Sequence, residues 1–262
     1  MSRVAHISDV HFGGENAAAV TAALEELHRE PPDLTVITGD ITSVGAIEEF
    51  DRAAAWLHGL PRPLVSTPGN HDVPYVGPGE ILARLISPFR RWETRFGPLD
   101  GDWVGADLAV ALVNTARGAQ ARFNWSKGAI SVRQADAAID ALAARPAGSL
   151  AVVACHHPLV EMIGGPMTGH VHGGEKAARR FCEARADLIL TGHIHAPFAM
   201  PLPYGDGLTH SVGAGTLSLR ERGVPPSYNL IDIAPAAITV VARGWTGSHF
   251  EPWRTWSLTR RR

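Results

Sequence analysis

Histidine and aspartate gather where short apolar runs of this 262-residue chain stop, and 13 histidines are present in all. Asp9-Val10-His11 follows the run at 4–7, Gly39-Asp40 the run at 34–38, and Gly69-Asn70-His71-Asp72 the run at 64–67. His156-His157-Pro158 follows 150–155, and Gly192-His193-Ile194-His195 follows 188–191. Any one of these fragments has an ordinary structural reading, since Asp caps turns, Gly-Asp is a common turn and Asn-His can fill a tight bend. Their joint placement is different. Core packing gives no reason for metal-competent side chains at every successive strand end, and buried carboxylates and imidazoles without partners are costly. A shared cation explains them together. The donors are imidazole, carboxylate and amide oxygen, with no thiolate, and they exceed what one tetrahedral zinc needs. Two cations are implied, with a carboxylate bridging them ~3.5–4 Å apart.

The first half of the chain alternates strand and helix patterns. Strands are expected over 4–7, 34–38 and 64–67, and helices over 17–28 and 47–57. In the first helix Val20, Leu24 and Leu27 recur at helical spacing. Such alternation predicts βαβ units and a largely parallel sheet, whose strand carboxyl ends share one edge, the place where open α/β folds bind ligands. A helical insertion is expected around 73–101, with Ile81, Leu82, Leu85, Phe89 and Trp92 on one buried face. The theme resumes with strands at 108–114, 150–155 and 188–191 and helices at 131–144 and 174–184. After His195 come short β segments at 198–200, 210–212, 216–219, 228–233 and 238–242, read as a second sheet closing over the first. No fixed-period repeat and no Pro/Gly/Ser-rich linker divides the chain, so one domain over 1–262 is expected. The segment 245–262, with Trp245, Trp253 and Trp256, reads as a tail docking on that body.

Charge narrows the partners. With 24 Lys+Arg against 26 Asp+Glu and a net charge of -2, the chain lacks the cationic excess that holds nucleic acid or an anionic membrane. Arg260-Arg261-Arg262 is the local exception and reads as a solvated tail. Two cysteines, Cys155 and Cys182, give no disulfide framework. No apolar run reaches the ~18 residues of a spanning helix, and the amino terminus lacks a signal-peptide pattern. A cytoplasmic location is the expectation, and oligomeric state, a homo-oligomer included, is left open.

In order, Asp9-x-His11, Gly39-Asp40, Gly69-Asn70-His71-Asp72, His156-His157-Pro158 and Gly192-His193-x-His195 reproduce the motifs of the calcineurin-like metallophosphoesterases, and the chain resembles that family from about Ser8 to Pro197. The resemblance implies an α/β (α+β) fold: a four-layer αββα sandwich of two mixed β-sheets flanked by helices. It assigns Asp9, His11 and His195 to one metal and Asn70, His156 and His193 to a second, with Asp40 bridging. His71 becomes the general acid, and His157 an orienting neighbour. Oxygen–nitrogen sites of this kind suit Fe, Mn, Zn or Co. Within the family, the His-His-Pro motif and the Gly-His-x-His-x-Pro ending look most like bacterial class III cyclic-nucleotide and glycerophosphodiester phosphodiesterases. The function implied is hydrolysis of a small phosphodiester by attack of a metal-bound hydroxide. A phosphomonoesterase or nucleotide pyrophosphatase on the same site is the alternative. A catalytically silent scaffold is a rival from another class, which the intact ligand set and His71 argue against.

Other residues complete the expectations. A Gly-rich stretch over 160–175, with Gly164-Gly165-Pro166, reads as a lid loop following His156, its His170 and His172 lying on the surface. His6, inside the first strand, reads as a core or edge histidine with its own hydrogen-bond partners. Asn114, Arg117 and Asn124 lie near the inferred edge, where they would contact phosphate or substrate. Asp72 could orient His71 or serve as a turn or cap residue.

Overall fold

The computed structural model describes residues 2–75, 77, 79–121, 124–161 and 171–261. Its strands are β1 (Ser2–Ile7), β2 (Leu34–Thr38), β3 (Leu64–Thr67), β4 (Gly101–Val104), β5 (Leu108–Val113), β6 (Leu150–Cys155), β7 (Leu188–Thr191), β8 (Phe198–Pro201), β9 (His210–Gly213), β10 (Ser227–Ile233), β11 (Ala237–Trp245) and β12 (Phe250–Thr259). They form two sheets, ordered β12-β11-β10-β1-β2-β3 and β4-β5-β6-β7-β9-β8. In the first, β1, β2 and β3 are parallel and β10 joins β1 antiparallel. In the second, β5, β6, β7 and β9 are parallel between antiparallel edges β4 and β8.

Side-chain alternation along these strands builds the layers, because successive residues point to opposite faces. On β6, Ala151, Val153 and Cys155 face one apolar cluster while Leu150, Val152 and Ala154 face another. That second cluster lies between the sheets, where Val4, Leu34, Val36 and Ile231 pack with Val110, Leu188 and Leu190. Outside the first sheet, α1 (Ala17–Arg29) and α2 (Ile47–Gly59) bury Val20, Leu27, Phe50 and Leu57 against Ile7 and Ile37. Outside the second, α5 (Val132–Ala143) and α6 (Gly174–Glu183) bury Ala138, Leu142, Ala178 and Phe181 against Val153 and Ile189. The result is the expected four-layer αββα sandwich. Capping sets the helix starts: the Asn16 side chain accepts from Ala19 N–H, and Ser131 and Gln134 form a capping box.

Several expectations change. The strands after His195 do not make a second sheet of their own. β8 and β9 extend the sheet begun by β4 to β7, whereas β10 to β12 extend the first, and β4 was not anticipated. No strand forms at 216–219; that segment makes one isolated bridge, Glu15 to Ser218, and is tied to the Asp9 loop. The insertion is two short helices, α3 (Ile81–Ile86) and α4 (Arg90–Phe96), broken at Ser87 ahead of Pro88. The break redirects the apolar stripe: Phe89 and Trp92 are buried, but Leu82, Leu85 and Ile86 are exposed. The tail is the edge strand β12, and Arg261 is not solvated, its guanidinium meeting Asp187 and Asp206. Most of the loop expected over 160–175, including His170, lies outside the described residues. Among the described residues, no helix is long and apolar enough to cross a membrane.

Candidate metal and phosphoester site

Five loops at strand carboxyl ends meet at one edge of the sandwich, three from the first sheet and two from the second. The tight approach demands unusual backbone. Asp9, His11, Asp40, His193 and His195 all have positive φ, between 50° and 69°, which non-glycine residues rarely adopt and which marks strain held at functional positions. Glycine is required beside them. A Cβ on Gly192 would collide with Ser8 Oγ and Asp9 Oδ2, and one on Gly69 would collide with the Asp40 carboxylate.

Asp9 is fully buried. Its Oδ2 accepts the His193 backbone N–H at 2.9 Å, and its Oδ1 has no hydrogen-bond partner. That oxygen stands 3.2 Å from His195 Nε2 and 3.8 Å from His11 Nε2. Across the site Asp40 Oδ2 lies 3.9 Å from His11 Nε2 and 3.2 Å from His156 Nε2. Asn70 Oδ1 is 3.2 Å from the same His156 nitrogen. Backbone carbonyls set the imidazoles: the Nδ1–H groups of His11, His156 and His195 donate to Thr42, Thr38 and Arg220 at 3.2, 2.7 and 3.0 Å. Each Nε2 is thereby turned inward toward the carboxylates, the orientation that outer partners impose on metal-ligating histidines.

Donor atoms of Asp9, His11 and His195 lie within 4.8 Å of one another, as do those of Asp9, Asp40 and His156, and of His156, His157 and His193. Each group could hold a metal ion, and the oxygen–nitrogen donor set, with an unpartnered buried carboxylate oxygen at its centre, suits a cation pair. His157 is the weakest donor, because Thr115 Oγ1 contacts its Nδ1 and Ser126 carbonyl its Nε2, both at 2.8 Å.

Electrostatics agree with this convergence. Burial opposes ionisation of Asp9 and Asp40, yet His195 beside the first and His156 beside the second hold both carboxyls below their usual range. Burial alone would lower His156, but Asp40 raises it to about 9. His11 and His193, where burial dominates, are lowered to about 4 and about 3.

His71 stands at the edge of this cluster. Its backbone N–H donates to Asp40 Oδ1 at 2.7 Å and its Nδ1–H to the Ser43 carbonyl at 2.6 Å, which leaves Nε2 as the ring nitrogen facing Arg220. Asp72 does not orient that ring. Its fully buried carboxylate accepts from the N–H groups of Gly69, Ile41 and Thr42 and from Thr42 Oγ1, clamping the Asp40 and Asn70 loops together. Burial, reinforced by Asp40, pushes the Asp72 carboxyl up to about 7.

A cavity of about 620 Å³ opens over Asn70 and His71, lined also by Ser43, Tyr75, Arg84, Asn124, Trp125 and Arg220. Asn124 lies on its wall. Asn114 and Arg117 do not: Asn114 Oδ1 accepts from Ala116 N–H, and the Arg117 guanidinium is taken up by the Asn114 and Ala116 carbonyls and Gln134. Sequence reasoning missed Arg220 and Trp125, which carry no local motif. His6 is buried, bonded to Thr38 Oγ1 and Asn229.

Comparison with known proteins places this geometry. Over 81 residues the chain is 41% identical to the glycerophosphodiester phosphodiesterase GpdQ of Enterobacter lignolyticus, an alignment spanning 26% of this chain and only 29% of that protein. Over 250 residues it is 25% identical to a probable cyclic nucleotide phosphodiesterase of Synechococcus, covering 88% of both. The fold matches the purple acid phosphatase PPD1 of yellow lupin with a TM-score of 0.74 at 13% identity, over 99% of this chain and 54% of that one. A family model for calcineurin-like phosphoesterases matches residues 2–197, the stretch that holds all five strand-end motifs, and the chain belongs to that family.

Proposed function

We propose that this metal-dependent phosphoester hydrolase is a phosphodiesterase, acting on a small diester of the cyclic-nucleotide or glycerophosphodiester type through a two-metal site in a single domain. The observation that carries the reading is the position of Asp40, whose Oδ2 faces His11 on one side and His156 on the other. Asp9, His11 and His195 would hold one ion, Asn70, His156 and His193 the second, and Asp40 would bridge. Bound there, the ions would supply a nucleophilic water at neutral pH and neutralise charge on the phosphoryl oxygens.

The chain's own residues do the rest. The buried donors exclude bulk water, and the cavity receives the substrate above Asn70 and His71. His71, anchored through its backbone to Asp40 and through Nδ1 to Ser43, presents Nε2 to the leaving oxygen and delivers a proton to it. The two cysteines, buried and unbridged, favour a reducing, cytoplasmic setting.

A phosphomonoesterase is the second reading, and Arg220 favours it. Arg117, the cation the sequence places near the edge, is taken up by local carbonyls and Gln134, but the structure puts the Arg220 guanidinium on the cavity wall. The names of the aligned relatives weigh toward the diester. Metal-reconstituted protein assayed on bis- and mono-p-nitrophenyl phosphate, then on cyclic nucleotides, glycerophosphodiesters and nucleoside monophosphates, tests the reading. Higher kcat/KM for the diesters is expected, and a consistent preference for the monoesters would move the assignment.

A further inference from the structure

We propose that Arg220 leaves its resting contact with His71 to bind the substrate's phosphoryl oxygens. The proposal rests on the phosphoester-hydrolase reading and adds a residue to it. Arg220 is exposed on the cavity wall, and among the described residues its guanidinium pairs with no carboxylate. NH1 instead sits 3.4 Å from His71 Nε2. Arg84, the other arginine of the cavity, is spent: its Nε and NH1 donate to the Gly118 and Pro74 carbonyls, each at 2.7 Å.

The backbone beneath Arg220 is fixed to the metal loops. Its carbonyl accepts from His195 Nδ1–H at 3.0 Å, and its N–H donates to Ser218 Oγ at 3.2 Å. Leu219 N–H donates to the Gly14 carbonyl at 2.9 Å, and Thr216 Oγ1 to the Asp9 carbonyl at 2.6 Å. Only the guanidinium is therefore free to travel, and its base stays in register with the metal donors.

The resting contact is the weaker of the two open to Arg220. With Nδ1 committed to Ser43, Nε2 meets the guanidinium in a single long contact of 3.4 Å. An anionic phosphoryl group offers two charged oxygens in the geometry that the guanidinium fork matches, which makes it the stronger partner. Substrate arrival moves Arg220 onto the phosphoryl group and leaves the His71 ring open to the cavity.

The test uses the zinc-loaded full chain, Arg220→Ala and Arg220→Lys. Inorganic phosphate, titrated calorimetrically, should bind Arg220→Ala roughly 10- to 100-fold more weakly, the loss expected for one charge-assisted contact. KM for bis-p-nitrophenyl phosphate should rise by a similar factor, and Arg220→Lys should recover part of both. Metal content and melting temperature should not change, since the carbonyl on His195 is retained. In nitrogen-15 spectra the His71 Nε2 resonance should shift when phosphate is added to wild type, and should already be shifted in Arg220→Ala. Unchanged phosphate affinity, or loss of metal in Arg220→Ala, would overturn the proposal. A wild type that hydrolyses no phosphoester would instead overturn the functional reading, and the phosphate titration would still decide the role of Arg220.

Discussion

The carboxylate of Asp40 holds the backbone of His71, Oδ1 accepting its N–H at 2.7 Å, while Oδ2 of the same group faces the nitrogens of His11 and His156. One side chain thus sets the position of His71 against the positions of His11 and His156. A shift of either loop would be felt by both.

Removing the His71 ring leaves that backbone contact intact. His71→Ala should therefore retain metal and lose turnover on alkyl esters by ~10²–10⁴-fold, the usual contribution of general acid–base catalysis. The defect should shrink with aryl leaving groups, which depart without protonation. An equal loss for alkyl and aryl diesters would take the acid role away from His71.

Asp72 is a clamp, so its loss should appear first in stability. Asp72→Ala leaves buried donors of Gly69, Ile41 and Thr42 without an acceptor, each at a cost of ~1–3 kcal/mol, and at least ~3 kcal/mol in total is expected. Asp72→Asn, which keeps one acceptor oxygen, should lose less. Urea denaturation of the two variants measures this, and a midpoint equal to wild type for Asp72→Ala would show that the clamp contributes nothing.

Motif and periodicity made part of this legible. The strands β1, β2, β3, β6 and β7 were readable because each is a short apolar run followed at once by polar donors, and the donors were readable because so many of them crowd one edge. Sheet membership was not, because it depends on contacts far apart in sequence: β1 lies between β2 and β10, and residue 6 pairs with residue 229. β12 hid for a different reason. It is an edge strand with mostly exposed residues and carries Pro252 at a register shift, where a missing N–H is tolerated. Asn114 and Arg117 were near the edge in sequence but are consumed by local carbonyls, whereas Arg220 was brought in by the segment that ties to the Asp9 loop.

His6 gives a pH signature away from turnover. Burial lowers its imidazole to about 3, against about 6.5 in an unfolded chain. Below pH 6.5 the unfolded chain takes up a proton that the folded chain refuses, so this residue's stabilisation is complete above pH 6.5 and falls as pH drops toward 3, by ~1.4 kcal/mol per unit. With both proteins kept in chelator, wild type should lose more stability between pH 7 and pH 5 than His6→Gln does. Parallel pH dependences would remove His6 as the cause.

The most direct test of the two-metal account is the manganese-loaded protein in electron paramagnetic resonance, with the ions counted by elemental analysis. Two Mn²⁺ per chain with an exchange-coupled signal are predicted, because ions ~3.5–4 Å apart through Asp40 must couple. Asn70→Ala should weaken only the second ion, and Asp40→Ala should impair both and abolish the coupling. A single ion per chain, or two uncoupled ions in wild type, would contradict the account.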